Sequence, residues 1–332
     1  MKKCLWLFLA ILSLLPCPGC EKKSVPKQPV KIGIDIWAGY AYAFIAREKG
    51  FFTKNGVNVE LVLRDTTLET RKAYINHEID GIFGLFSDML MQNSEGTPAR
   101  LVLVIDRSVK GDMLVGRPQF QTLRDLQGKT VGIEGINTFS HIFVLKLLEN
   151  AGLQESEVKF KNINGRDVLT ALEEGQIDAG HTWDPVKTAA LNKGYRMLAH
   201  SGDLPGILID GLFFRPEVIK GRPDDIRLII KSLLEARAYA HANWDEAIAL
   251  MAKAEGMPYE AMQNGVLGVK HLDLKDNVEV FRKSEDMGSL YWSFKTIVDF
   301  FITRGQMTMA PKFAEFIEPQ FVMRLWQEEA QK

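Results

Sequence analysis

Short apolar runs alternate with amphipathic segments along most of the chain, which is the pattern expected of alternating strands and helices. The run Lys31-Ile-Gly-Ile-Asp35 predicts a buried strand followed by a helix, and a similar succession starts at Lys129-Thr-Val-Gly-Ile-Glu134. Each copy reaches an Ile-Asp pair, Ile79-Asp80 in the first and Ile177-Asp178 in the second. Two similar α/β units therefore lie in tandem, and a repeat of this length indicates paired lobes rather than a solenoid.

The pattern predicts nine strands before a largely helical C-terminal region. The strands are expected at Val30–Ile36, Val57–Leu63, Gly81–Leu85, Arg100–Ile105, Asp112–Gly116, Thr130–Ile133, Val158–Ile163, Ile177–His181 and Ile207–Phe214. The C-terminal helices are expected at Pro223–Asn243, Trp244–Ala254, Pro258–Leu267, Asp286–Thr303 and Phe313–Glu329, with a loop over 276–288 that reaches the cleft. We expect the strand near Ile207 to return to the first unit. Residues 30–115 and 206–332 would then form lobe I, and residues 116–205 would form lobe II.

The N-terminus has the features of a secretory signal. Lys2 and Lys3 precede an almost wholly apolar run, Leu5 to Leu15, which is too short to span a membrane. Gly19-Cys20 follows and resembles the cleavage and lipidation site of a bacterial lipoprotein. We therefore predict a signal peptide over 1–19 and a tether over 20–29, with a lipid anchor on Cys20.

Composition narrows the chemistry further. The chain has 41 basic and 42 acidic residues, a balance that gives no reason to expect nucleic acid as a partner. All three cysteines, Cys4, Cys17 and Cys20, fall in the signal or at its cleavage site, so the body contains no thiol nucleophile or disulfide. The six histidines lack carboxylates at metal-ligand spacing, and we expect neither a metal nor another cofactor.

Ligands of open α/β sheets bind beyond the carboxyl ends of the strands, and several polar or aromatic residues are predicted there. Trp37 and Tyr40 follow the first strand, and Gly39 between them favours a loop that lets a ligand approach. Asn137, Thr138 and Ser140 open the long helix of the second unit, where free N–H groups and the helix dipole suit an anion. Residues of these types also cap helices, so a purely structural role is an equal alternative.

The chain resembles the substrate-binding proteins of nitrate, sulfonate and taurine ABC importers, a family also related to thiamine-pyrimidine binding proteins. The resemblance covers about residues 31–318. It rests on Trp37-Ala-Gly-Tyr40, Ala46-Arg-Glu-Lys-Gly-Phe-Phe52, Ser87-Asp88, Leu126-Gln-Gly-Lys-Thr-Val-Gly132, Ser140-His141 and Trp183-Asp-Pro185. It implies a type II periplasmic-binding-protein fold, in which two α/β lobes joined by two crossovers close on a solute.

The resemblance also implies where the ligand is bound. The expected contacts are Trp37, Gly39, Tyr40, Ser87, Asp88, Asn137, Thr138, Ser140, His181, Trp183 and Asp184. The chain departs from sulfonate binders at Asn137-Thr138-Phe139, where Gly-Ser-Thr is usual, and at Glu134-Gly135, where a proline is common. The expected protein is a monomeric lipoprotein outside the cytoplasmic membrane that delivers its solute to an ABC permease.

Two ligand classes fit the residues. The helix start at Asn137 suits a sulfonate, carboxylate or nitrate oxygen. Asp88, Glu134 and Asp184 would repel a bare anion and suit a zwitterion such as taurine, or an aminopyrimidine-like ring on which a tryptophan stacks. Two other functions are weighed against import. One is a sensor receptor, and the other is a pyrimidine-synthase-like enzyme, which in this family uses a cysteine cluster that the body of this chain lacks.

Overall fold

The computed structural model describes residues 28–286 and 289–331, and their strands form two separate sheets. The strands in chain order are β1 (Val30–Ile34), β2 (Val59–Leu63), β3 (Gly81–Leu85), β4 (Arg100–Ser108), β5 (Met113–Gly116), β6 (Thr130–Ile133), β7 (Lys159–Asn162), β8 (Ala179–Thr182), β9 (Arg196–His200), β10 (Ile209–Phe214) and β11 (Val269–His271). The predicted signal, Cys20 and the tether up to residue 27 lie outside the described residues.

Helices cover both sheets. In chain order they are α1 (Tyr42–Glu48), α2 (Phe51–Lys54), α3 (Thr67–Ile75), α4 (Phe86–Ser94), α5 (Phe139–Asn150), α6 (Val168–Glu173), α7 (Val186–Asn192), α8 (Pro216–Gly221), α9 (Pro223–Ala242), α10 (Trp244–Glu255), α11 (Tyr259–Leu267), α12 (Leu274–Val280), α13 (Leu290–Thr303), α14 (Phe313–Phe316) and α15 (Gln320–Ala330). None of the helices in 28–286 and 289–331 has both the length and the apolar character needed to cross a bilayer.

The first sheet, which defines lobe I, has the strand order β11-β4-β10-β3-β1-β2. Strands β1, β2 and β3 are parallel, and β10 lies antiparallel between β3 and β4. The predicted return of this late strand to the first unit is therefore confirmed. Every residue of β3 and of β10 is buried, as expected of central strands covered by helices on both faces.

The second sheet, which defines lobe II, has the order β7-β6-β8-β5-β9. Strands β6, β7 and β8 are parallel, and β5 runs antiparallel between β8 and β9. The strand Met113–Gly116 thus belongs to lobe II, although we expected lobe I to extend to residue 115. The crossover lies just before this strand, which pairs with both β8 and β9.

The Ile-Asp pairs that reveal the repeat have the same structural role in both lobes. The Lys31 N–H donates to Asp80 Oδ2 over 2.8 Å, and the Thr130 N–H donates to Asp178 Oδ2 over 2.9 Å. In return, the N–H of each aspartate donates to the carbonyl of the same partner over 2.8 Å. Each aspartate lies just before a strand and joins it to the start of the neighbouring strand, so the repeated pair stabilises the sheets.

Three expectations for the later part of the chain are wrong. The prediction lacks strands β9 and β11. The region expected as a loop from residue 276 begins inside α12, whose start is capped by the Asp273 side chain accepting the Asp276 N–H. The single helix expected over Phe313–Glu329 is two helices, α14 and α15, because the Glu318 N–H, just before Pro319, donates to Leu101 O of β4.

Candidate functional site

A small cavity lies between the two lobes, beyond the ends of their strands. It is lined by Asp35, Ile36, Trp37, Tyr40, Thr67, Leu85, Asp112, Phe139, Trp183 and Asp210. The lining combines aromatic rings with carboxylates, and among the described residues it contains no Lys or Arg side chain.

The loop after β1 brings two aromatic side chains to the cavity. Trp37 Nε1 donates to Asp106 Oδ2 over 3.2 Å, and the buried Tyr40 hydroxyl donates to Asp210. Gly39 lies between them because a Cβ at this position would come within 1.9 Å of Asp106 Oδ2. The glycine therefore allows the loop to pack on the carboxylate, and its own backbone lies beside the cavity rather than in its lining.

Lobe II contributes a second pair of rings. The ring centroids of Phe139 and Trp183 lie 5.8 Å apart. Gly165 makes room for the indole, since a Cβ there would come within 2.5 Å of it. Trp37, Tyr40 and Trp183 of the predicted site thus line the same cavity. Phe139 joins them, although the sequence analysis names it only within the departure from sulfonate binders and not among the expected contacts.

Three buried aspartates at the site have only neutral hydrogen-bond donors. Asp35 accepts from Thr67 Oγ1 over 2.5 Å, Asp106 from Trp37, and Asp210 from Tyr40. Burial raises the pKa of Asp35 to about 6 and that of Asp106 to about 8, and burial together with Asp106 raises the pKa of Asp210. Asp106 and Asp210 face each other in the register of β4 and β10. The described residues nevertheless contain no group of three or more carboxylate, His or Cys side chains arranged for a metal.

A chain of hydrogen bonds runs from Asp112 into lobe II. His181 Nε2 lies 3.1 Å from Asp112 Oδ1, and His181 Nδ1 lies 2.9 Å from Ser140 Oγ. Because Ser140 Oγ accepts from the Glu134 N–H, its own hydrogen is free for Nδ1, which leaves the Nε2–H to donate to Asp112. The order Ser140, His181, Asp112 is the same as the order of nucleophile, base and carboxylate in a catalytic triad. Ser140, however, is fully buried and lies outside the cavity lining. This series of hydrogen bonds therefore orients the Asp112 carboxylate.

The start of α5 is already in contact with a carboxylate of the protein itself. The Phe139 N–H donates to Asp88 Oδ1 over 2.7 Å, and Arg71 Nη1 lies 3.5 Å from Asp88 Oδ2. Asp88 is only 2% exposed, so burial raises its pKa, while Arg71 and the Phe139 N–H act in the opposite direction. Asp88 comes from lobe I and α5 from lobe II. The position that we predicted for a ligand anion is therefore taken by an interlobe hydrogen bond.

The remaining predicted residues near α5 make contacts within the protein. Thr138 Oγ1 donates to Gly135 O over 2.8 Å, and the N–H of Asn137, which has a φ of 65°, donates to His141 Nδ1 over 3.2 Å. Ser87 is buried at the start of α4. These residues lie outside the cavity lining, and so do Gly39, Asp88, Ser140, His181 and Asp184. Their predicted contact with a ligand stays a prediction.

Asp184 pairs with a lysine of α7, the helix that follows it. Its Oδ2 lies 2.7 Å from Lys187 Nζ, and its Oδ1 accepts from both the N–H and the Oγ1 of Thr188. Lys187 also donates to Lys110 O over 3.0 Å, which ties α7 to the crossover between the lobes. The two charges are buried together, so the geometry supports the capping alternative for Asp184.

Replacing Asp184 with asparagine should lower stability and leave ligand affinity within about twofold of wild type. Lys187 would lose its buried counter-charge, a loss that typically costs about 3 kcal/mol of unfolding free energy. Denaturant unfolding and calorimetry measure the two effects. The exposed pair Lys193–Glu173 supplies the control, since Glu173→Gln should cost less than about 1 kcal/mol. A large loss of affinity in Asp184→Asn without loss of stability would contradict this assignment.

Contacts at several places hold the lobes together around the cavity. Arg166 of lobe II donates to Asp65 O of lobe I over 3.1 Å. Arg304 of α13 forms an ion pair with Glu155, which follows α5. Together with the Asp88 hydrogen bond, these contacts join lobe I to lobe II.

The sequence reasoning missed Asp35, Asp106, Asp112 and Asp210. Asp35 had a visible signal, because it ends the strand-like run Lys31-Ile-Gly-Ile-Asp35. Asp112 was placed in a predicted strand, and its contact with His181 depends on the order of the second sheet. Asp106 and Asp210 come together only through the antiparallel register of β4 and β10, which no local pattern reveals.

Two lobes, each built on a separate sheet and closing over a lined cavity, define the class of periplasmic binding proteins. A family model described as "NMT1/THI5 like" matches residues 37–247. The chain belongs to this family, and the predicted family resemblance is confirmed.

Relatives and solved structures agree with this assignment. The chain is 25% identical to a formylaminopyrimidine-binding protein of Halalkalibacterium halodurans over 78% of its length and 74% of the relative. It is 24% identical to the taurine-binding periplasmic protein of Escherichia coli, over 52% and 56% of the two chains. The crystal structure of the periplasmic aliphatic sulphonate binding protein of Escherichia coli superposes with a TM-score of 0.71 at 18% identity, covering 89% of this chain and 99% of that one. The predicted type II periplasmic-binding-protein fold is thus confirmed.

Proposed function

We propose that this protein captures a small organic solute between its lobes outside the cytoplasm and delivers it to an ABC importer permease. The observation that carries the proposal is a cavity lined by both lobes, with Trp37 and Tyr40 on one side and Phe139 and Trp183 on the other. A site divided in this way is completed only when the lobes approach. Membership of the family and relatives named as binding proteins support the same function.

The cavity chemistry favours a solute rich in N–H groups over a sulfonate. Asp35, Asp112 and Asp210 line the cavity and can accept hydrogen bonds, whereas they would repel an oxyanion. The start of α5, where a sulfonate was expected, is in contact with Asp88. An aminopyrimidine-like ring, our second ligand hypothesis, therefore fits better than a taurine-like solute. The relative named for formylaminopyrimidine is consistent with this choice.

The proposal is for a binding protein rather than an enzyme. The cavity lining contains no Cys, Ser, His or Lys among the described residues. Its hydroxyls belong to Tyr40 and Thr67, and both donate to carboxylates that have no histidine partner in the cavity. The lining is therefore suited to hold a solute by hydrogen bonds and ring contacts.

A solute that binds should close the lobes and reduce the radius of gyration. The mature protein would be screened by thermal shift with aminopyrimidines, sulfonates and nitrate, and solution scattering would then be recorded with each hit. Closure should appear with an aminopyrimidine and should be lost in Trp183→Ala, which removes one wall of the cavity. Saturating binding without any change in scattering would count against closure, and the absence of any ligand across the screen would count against the proposed function.

We also propose that lipid on Cys20 holds the protein at the membrane surface. The support is the apolar N-terminal run and the Gly19-Cys20 pair. Cys20→Ala should move the protein from the membrane to the soluble fraction, and Cys17→Ala is the matched control that should leave it at the membrane. Cell fractionation and mass spectrometry of the mature N-terminus test the prediction, and a wild-type protein that starts at another residue would disprove it.

A further inference from the structure

Besides Asp112, which pairs with His181, five buried aspartates around the cavity form two groups by their partners. Asp88 and Asp184 have cations beside them, Arg71 at 3.5 Å and Lys187 at 2.7 Å. The second group consists of Asp35, Asp106 and Asp210, whose hydrogen bonds come from the neutral side chains of Thr67, Trp37 and Tyr40. The fold therefore supplies counter-charges to the carboxylates away from the cavity and none to this second group.

The second group surrounds the place where a solute would bind. Asp35 and Asp210 line the cavity, and Asp106 adjoins Trp37, which lines it as well. All three are less than a tenth exposed, and Asp106 Oδ1 is buried without a hydrogen-bond partner among the described residues. A buried carboxylate with no cation beside it is costly when ionised, because the surrounding protein replaces water poorly. A cation brought by the solute would remove that cost.

The aromatic lining is suited to the same charge. Trp37, Tyr40, Phe139 and Trp183 approach the cavity from both lobes. The faces of aromatic rings attract cations, most strongly in a desolvated site. Rings alone would accept a neutral solute equally, and carboxylates alone would accept a metal. Their combination in one small cavity selects an organic cation.

We propose that the solute carries a formal positive charge, as an amidinium, guanidinium or protonated amino-heterocycle, with N–H groups directed at Asp35 and Asp210. This inference rests on the proposed function and adds the charge of the solute to it. The cation would supply the counter-charge for the second group of carboxylates, whose partners in the protein are neutral side chains. A neutral solute of the same shape would leave them uncompensated.

Three small planar ions and molecules of nearly one shape test the charge: guanidinium, urea and nitrate, each with four non-hydrogen atoms. Each would be titrated into the full chain at low millimolar concentration and constant ionic strength. Tryptophan emission is the readout, since Trp37 and Trp183 line the cavity. Guanidinium should bind at least tenfold tighter than urea, and nitrate should not bind. Equal binding of guanidinium and urea, or binding of nitrate, would overturn the inference.

Variants separate the site from general effects of guanidinium on the surface. Asp210→Asn and Asp35→Asn should each weaken guanidinium binding at least tenfold, while the exposed Asp299→Asn should change it less than twofold. Circular dichroism shows whether the variants fold. Unchanged binding in both site variants would also overturn the inference. If a neutral or anionic solute closes the lobes in scattering, the charge assignment fails and the proposed function stands; if no solute closes them, the proposed function fails.

Discussion

Replacing Asp88 with alanine should open the lobes and weaken solute binding by at least tenfold. The variant loses the hydrogen bond from the Phe139 N–H to Asp88, which joins lobe I to the start of α5 in lobe II. Hydrogen bonds to charged groups contribute about 1.5–3 kcal/mol, and here the whole contribution favours the closed form. Arg71, which is mostly buried, would in addition lose its counter-charge. Solution scattering should show a larger radius of gyration, and calorimetry should show the loss of affinity.

Two comparisons make this result specific to closure. Asp80→Ala removes a carboxylate that also accepts one backbone N–H, from Lys31 at 2.8 Å, but entirely within lobe I. It should lower stability without opening the lobes. Formate added to Asp88→Ala should restore compactness, because a small carboxylate can occupy the positive start of α5 beside Arg71. If Asp88→Ala is as compact as wild type, Asp88 does not hold the lobes closed.

Replacing Asp106 with asparagine should stabilise the unliganded protein, by several kcal/mol near neutral pH and above. Burial raises the pKa of Asp106 to about 8, with the charge of Asp112 adding to the effect and the hydrogen bond from Trp37 opposing it. The unfolded carboxyl has a pKa of about 3.9, so between about pH 4 and pH 8 the native state retains a proton that the unfolded state releases. The unfolding free energy due to this group therefore falls as pH rises through that window. Each pKa unit corresponds to about 1.4 kcal/mol, and asparagine avoids the whole penalty.

The difference between variant and wild type should grow from about pH 4 to pH 8 and then level off. Burial lowers the pKa of His271 to about 3, so below about pH 6.5 this residue makes the unfolding free energy rise with pH. Taking the difference in unfolding free energy between variant and wild type at each pH cancels this contribution. Asp210, which faces Asp106 across β4 and β10, would titrate with it, so Asp210→Asn serves as a second variant. Denaturant unfolding across this range is the measurement. A difference that shrinks with rising pH would disprove the assignment.

The sequence predicts the parts of this fold that depend on local pattern. The bounds of β3 and β6 match the prediction, because each is a short and mainly apolar run that begins directly after a charged residue, Asp80 or Lys129. We predict Trp37, Tyr40 and Trp183 to follow the carboxyl ends of strands. All three line one cavity, because these strand ends face the space between the lobes. Strand ends can therefore be located from sequence even when the ligand cannot.

The charge of the site depends on contacts between distant residues. Asp88 looks like an ordinary helix cap in the sequence, yet its carboxylate is directed at Phe139 of the other lobe. Asp184 looks like a ligand for an amino group, and its charge is instead matched by Lys187 one turn along the helix. Contacts between the lobes and the register of the strands decide which carboxylate has a cation beside it. A local sequence pattern contains neither of these features.

The position of β10 has a consequence for how the chain folds as it is exported. Strands β5 to β9 are contiguous in sequence, so a chain that emerges N-terminus first can complete the second sheet once residue 200 is available. The first sheet must wait for Ile209–Phe214, which lies between β3 and β4. Until that strand arrives, β3 and β4 each expose an unpaired apolar edge, and such edges promote aggregation. The half of the protein that is made first is thus the half that needs protection longest during secretion.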